Sequence, residues 1–178
     1  MYPIFRMMKE IVVARRAGPM GPMDVNVTHH RCWPQDIDVF MELNNGRTLT
    51  LYDLGRVPMA VRIGFDRVLK KNNWGLTIAG SSVRYRRRVR MFQKFTMKSR
   101  LIGWDDKFMY LDQTMWSNGT CTSQALLRAA LTNKSGIVKP SEFAGELGLP
   151  IESPALPDWV ANWVSAEDSR VWPPILSR

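Results

Sequence analysis

Asp36-Ile37-Asp38-Val39-Phe40-Met41-Glu42-Leu43-Asn44-Asn45-Gly46-Arg47 is the stretch whose reading decides the fold. A strand-like run ends just before it at Cys32-Trp33-Pro34. Two aspartates follow one residue apart, then a polar loop, then paired asparagines. Asn44 or Asn45 suits a helix N-cap, because its side chain accepts from the first free N–H groups. The run Thr48–Arg56 after it reads as helix. The start of such a helix carries unpaired N–H donors and a partial positive charge. Carboxylates placed beside donors of that kind have the means to polarise a carbonyl and attack it.

The same stretch resembles the hot-dog fold thioesterases of the 4-hydroxybenzoyl-CoA thioesterase type, on the branch with an Asn-Asn signature. Those proteins often read Asp-x-Asp-x-x-Gly-His-(Val/Met)-Asn-Asn-(Ala/Gly)-Arg-Tyr-Leu, followed by an acidic residue and an arginine in the helix. Asp36, Asp38, Asn44, Asn45, Gly46, Arg47, Leu49, Asp53 and Arg56 keep that register without gaps. The departures are Met41 for Gly, Glu42 for His and Thr48 for Tyr. The resemblance covers residues 24–137. It implies an α+β hot-dog fold, a curled antiparallel sheet wrapped around a central helix. It also implies that Asp38 is the nucleophile or general base on a thioester. Glu42 and Asp53 are further candidate catalytic carboxylates, and Asn44, Asn45, Gly46 and Arg47 candidate substrate-binding residues. Asp53 also has a purely structural reading, an i, i+3 pair with Arg56.

At 178 residues, one domain is the natural expectation. A hydrophobic fraction of 45% and a charged fraction of 23% exclude a disordered chain. The longest apolar runs, such as Ile11–Ala14, fall far short of a membrane span. Met1–Arg16 has charges throughout and no apolar core of a secretory signal. Two cysteines, Cys32 and Cys121, make no disulfide framework, and no His/Cys spacing suggests a metal. The expected compartment is a reducing cytoplasm, with no cofactor. The net charge of +9 favours anionic partners.

Residues 1–23 read as an amphipathic helix and a linker, 24–137 as the hot-dog domain, and 138–178 as a helical extension. In the first segment Ile4, Met7, Met8 and Ile11 form a stripe at helical spacing, with Arg6, Lys9, Arg15 and Arg16 around it. Its bland reading is packing on its own domain or a dimer mate; the sharper one is weak contact with a membrane surface. Val25–Trp33 alternates as a strand, in which adjacent His29 and His30 face opposite sides. The central helix is expected from Leu49 to about Phe65, bent or interrupted at Pro58. Strands are expected over 76–91, 95–103, 108–116 and 120–132, the last two joined by an Asn118-Gly119 hairpin turn. Beyond Lys139-Pro140, two short helices are expected over 141–147 and 156–164, with Trp159 and Trp163 on one face.

Val83-Arg84-Tyr85-Arg86-Arg87-Arg88-Val89-Arg90 alternates too, placing Tyr85, Arg87 and Val89 on one face. Hot-dog relatives often read Tyr-x-Arg-Pro-x-x-x-Gly-Asp here. Arg87 keeps the arginine, Arg88 replaces proline, and Phe92-Gln93 replace Gly-Asp. Arg86, Arg87 and Arg88 are therefore candidates for binding the phosphates of coenzyme A, a task that suits forked guanidinium donors. The leading function is an acyl-CoA thioesterase acting as a homodimer or homotetramer. The alternative is a non-catalytic acyl-CoA or lipid-binding protein, favoured by Met41 and Glu42. The arginine run has no nucleic-acid motif beside it, so no nucleic-acid partner is expected.

Overall fold

The computed structural model describes residues 2–174. Its elements, in chain order, are helix α1 (Ile4–Ala17), strand β1 (Asn26–Arg31), helices α2 (Asn45–Arg62) and α3 (Phe65–Asn72), strands β2 (Gly75–Tyr85), β3 (Lys94–Trp104), β4 (Met109–Ser117), β5 (Thr120–Asn133) and β6 (Gly136–Val138), and helices α4 (Pro140–Glu146) and α5 (Asp158–Asp168). The sheet is antiparallel in the order β1-β3-β4-β5-β2, with β6 added to the end of β5. It curls around α2 in the hot-dog arrangement.

Strand alternation decides what α2 packs against. On β3, Phe95, Met97, Ser99 and Leu101 are buried, while Lys98 and Arg100 between them are exposed. Leu51, Tyr52 and Leu54 of α2 join Phe95, Met97, Met115 and Ala125 in one inner core. Phe65 and Val68 of α3 join Leu101, Met109, Leu131 and Phe143 in a second. Helix and sheet come closest at Gly55. A Cβ there would meet Ser99 Oγ at 2.5 Å and Gln113 Nε2 at 3.2 Å. Gln113 Nε2 meanwhile donates to Ser99 Oγ at 2.7 Å and to the Tyr52 carbonyl at 2.9 Å. The outer face is covered by the C-terminal extension. Val160 and Trp163 of α5, with Leu156 before it, pack on Ile102, Tyr110 and Leu126. Trp163 lies over Gly80, whereas Trp159 stays largely exposed; the two tryptophans do not share an environment.

Three expectations need correction. The central helix starts four residues earlier than expected and runs unbroken through Pro58 to Arg62. It ends because Gly64 takes φ +79°, in the left-handed region, and a separate helix restarts there. Strand β2 stops at Tyr85 rather than at 91. Arg86 and Arg87 both donate to the Thr122 carbonyl, which turns the chain out of the ladder. Residues 89–90 then pair with the 36–47 stretch instead: Leu43 N donates to the Val89 carbonyl at 2.8 Å, and Glu42 bridges Arg90. Finally, β6 gave no sequence signal, being only three residues long.

His30 is deeply buried beneath α1. Its Nε2 lies 2.8 Å from Thr28 Oγ1. Burial, with Arg6 and Lys9 adding to it, pushes its pKa down to about 3. Glu10, 3.9 Å away, is too distant to hold a proton on the ring.

The two glycines of the resemblance pattern that this chain lacks fall at strained positions. Met41 has φ +60° and Phe92 φ +62°. Both lie in the left-handed region, where a side chain costs about 1–2 kcal/mol. Phe92 recovers part of that by an edge-to-face contact with Trp33, with ring centroids 6.2 Å apart. Met41 is exposed and has no such contact among the described ring pairs. Met41→Gly is therefore expected to raise stability by about 0.5–1 kcal/mol, measured as a higher urea midpoint at unchanged slope. A lower midpoint would show that Met41 makes contacts that outweigh its backbone strain.

Candidate functional site

The 36–47 stretch folds as a tight hairpin leading into α2. Ile37 bridges Leu43, and Asp38 N donates to the Glu42 carbonyl at 2.9 Å. Asn44, rather than Asn45, is the N-cap: its side chain accepts from Arg47 N at 3.0 Å. Asn45 and Gly46 open the helix, so their N–H groups have no partner within it.

Asp36 anchors this hairpin and is fully buried. One carboxylate oxygen accepts from Arg47 Nε at 2.7 Å. The other accepts from Arg6 Nη1 at 2.8 Å and from Trp33 N at 3.0 Å. Burial opposes its ionisation, but the Trp33 amide and the two guanidinium groups outweigh that and hold the carboxyl below its ordinary range. Arg47 thereby points at Asp36 and serves the frame of the site. Asp53 lies two turns into α2, where it pairs with Arg56 and accepts from the Tyr2 hydroxyl. Burial and that carboxylate push the Tyr2 pKa up to about 12. This is the i, i+3 pair foreseen as the structural reading of Asp53.

Of the remaining candidates, Glu42, Asn45, Arg86, Arg87 and Arg88 converge. A cleft of about 180 Å³ opens at the start of α2, lined by Glu42, Asn45, Thr48, Tyr85, Arg86, Arg87, Arg88, Met115, Thr122 and Ser123. Glu42 Oε2 lies 2.8 Å from Arg88 Nε, an ion pair without hydrogen-bond alignment. The Tyr85 hydroxyl donates to the Asn45 carbonyl at 3.1 Å and ties the β2 end to the helix start. Arg86, Arg87 and Arg88 are all exposed at the rim. Gln93 takes the place of the pattern's aspartate: its Oε1 accepts from Arg90 N, and its Nε2 donates to Ser117 Oγ, both at 2.8 Å.

Asp38 does not line this cleft. It is half-buried on the opposite limb of the hairpin, and its Oδ1 accepts from Phe40 N at 2.8 Å. Asn44 and Gly46 are exposed beside the helix start but outside the lining. Thr48, Tyr85, Thr122 and Ser123 line the cleft without having been singled out. Tyr85 carried a signal as the first residue of the Tyr-x-Arg pattern, and Thr48 as a departure from the pattern's tyrosine. Among the described residues no cluster of His, Cys, Asp or Glu is arranged to hold a metal ion.

Comparison with known proteins agrees with this architecture. The protein THEM6 of Xenopus laevis is 27% identical over 139 residues, which is 76% of this chain and 65% of that protein. The chain thus spans somewhat under two thirds of that relative's length. The probable thioesterase YbaW of Escherichia coli superposes with a TM-score of 0.61 at 17% identity, over 68% of this chain and 95% of that one. A thioesterase of Thermus thermophilus, solved with coenzyme A and zinc, superposes with a TM-score of 0.57 at 17% identity, over 66% of this chain and 90% of that one. Residues 32–164, from just after β1 into helix α5, match the sequence profile described as the Thioesterase-like superfamily, and the chain belongs to that superfamily.

Proposed function

We propose that this protein hydrolyses the thioester of an acyl-CoA. The observation that carries the reading is the cleft at the α2 start, which gathers Asn45 of the helix start, Glu42 and three arginines around one small volume, with Asp38 on the opposite limb of the same hairpin. The coenzyme A bound to the Thermus thermophilus neighbour supports a substrate of that class. The N–H groups of Asn45 and Gly46 suit a developing oxyanion. A carboxylate takes a proton from water as the water oxygen bonds the carbonyl carbon. Collapse of the adduct breaks the C–S bond, and the coenzyme leaves as its thiol. Arg86, Arg87 and Arg88 hold its phosphates.

Two carboxylates of the hairpin compete for the role of base. The family register gives it to Asp38, whose Oδ1 accepts from Phe40 N. Glu42 lines the cleft and is paired with the exposed Arg88. We assign the base to Asp38 and the orientation of water to Glu42. Asp38→Asn is expected to lower kcat by roughly two orders of magnitude, while Glu42→Gln lowers it less, in a thiol-release assay over short, long and aromatic acyl-CoAs. The reverse order would move the chemistry to Glu42. No hydrolysis by the wild type would favour a non-catalytic acyl-CoA-binding protein.

Arg87→Ala is expected to raise KM with little change in kcat, the pattern of lost uniform binding. Unchanged KM in alanine variants of Arg86, Arg87 and Arg88 would remove the phosphate assignment.

The working unit is proposed to be a homo-oligomer in a reducing cytoplasm, with α1 making weak contact with a membrane surface. Strand β2 is an edge of the sheet, and Leu76 and Ile78 on it are exposed; such an edge invites pairing. Light scattering is expected to give at least twice the chain mass of 20.5 kDa. A strict monomer at micromolar concentration would contradict it.

A further inference from the structure

Helix α1 buries one face and leaves another apolar face bare. Met7, Glu10 and Ala14 point inward. Ile4, Met8 and Val12, at i, i+4 and i+8, are exposed on the other side with Phe5, which is 89% exposed. Arg15 and Arg16 close this stripe in the last turn, and Lys9 flanks it. The single acid of the helix, Glu10, is buried on the inner face and takes Lys9 at 3.1 Å.

Beside the stripe lies a surface groove of about 880 Å³, between α1 and the β1–β3 edge. Arg6, Lys9, Arg31, Lys94 and Lys98 line it, and Glu10 is its one carboxylate. Lys98 Nζ sits 5.0 Å over the Trp116 ring. Arg6 is committed to Asp36; the groove still keeps a clear excess of positive charge.

We propose that this face docks on an anionic membrane surface, with the α1 stripe entering the interface and the groove taking lipid phosphates. Charge decides between a membrane and a second copy of the chain. A two-fold pairing presents the same patch to itself, which would bring Lys9, Arg15 and Arg16 of both copies together. An anionic bilayer satisfies the same cations, and a helix with an apolar stripe and a basic border is the form that lies in its surface. Among the described residues no helix is long and apolar enough to cross the bilayer; the proposed contact is made by the α1 face. The proposal deepens the weak surface contact named above and does not depend on hydrolysis.

Co-sedimentation of the full chain with vesicles tests it. Phosphatidylcholine vesicles are compared with vesicles containing 30% phosphatidylserine, at low salt and in about 0.5 M NaCl, which screens such contacts. Partitioning is expected to rise at least tenfold with the anionic lipid and to fall at high salt. Phe5→Asp/Met8→Asp is expected to abolish it while leaving the melting temperature and the hydrolysis of soluble acyl-CoA unchanged. Lys94→Glu/Lys98→Glu is expected to weaken binding more than tenfold, on the basis of roughly fivefold per cation near such a surface. Equal binding to both vesicle types, or wild-type binding by the Phe5/Met8 variant, would overturn the proposal. So would a smaller light-scattering mass for that variant without vesicles, which would make the stripe a subunit interface.

Discussion

Everything near the cleft depends on one buried carboxylate. Asp36 is reached by Arg6 from α1, by Arg47 from α2 and by the Trp33 amide from the end of β1. A carboxylate taken fully out of water is tolerated only when its partners and hydrogen bonds are complete, and breaking a fully buried pair by removing one partner costs about 3–5 kcal/mol; Arg6 and Arg47 keep part of their side chains in solvent, so the cost here lies below that. The carboxylate therefore fixes where the 38–42 hairpin starts, how the first turn of α2 is aimed and where α1 lies. The cap at Asn44 and the Leu43–Val89 contact then carry that position across to the arginine run.

This arrangement divides the labour among residues that look alike in sequence. Of the acidic residues near the helix start, Asp36 is consumed by the frame and Asp53 by Arg56 and Tyr2. Glu42 and Asp38 remain on the two limbs of one tight turn. Arg47, next to the cap, is turned inward, whereas Arg86, Arg87 and Arg88 stay at the rim. Charge type and spacing alone do not separate these roles, because the separation comes from which side chain is buried against which neighbour.

How far the sequence could be read follows from the same physics. The strand–helix–four-strand order was legible because period-2 alternation and the Asn118-Gly119 turn are local signals. The helix cap was legible to within one residue because an asparagine cap is local as well, although the helical run itself was expected to begin four residues late. The end of β2 was not: Arg86–Arg90 continues the alternation, and only the distant Thr122 carbonyl and the 42–43 backbone pull it from the sheet. The role of Asp36 was equally hidden, since one of its partners stands thirty positions away in another helix. The departures at positions 41 and 92 were visible as missing glycines, but their meaning as left-handed residues needed backbone angles.

The close approach at Gly55 has a consequence for how such chains can change. The Asn44 cap and the Gly55 contact lie about three helical turns apart on α2, and each is engaged with a different fixed partner, the hairpin at one end and the Ser99–Gln113 pair at the other. A substitution between them alters one side chain. An insertion or deletion of a single residue would instead rotate one end of the helix by about 100° relative to the other. The glycine would then leave the slot, and a bulkier side chain would meet the sheet. Helix α2 thus acts as a ruler: between those two points its exposed positions are free to drift and its buried ones can change only within the core they fill, but its length is fixed.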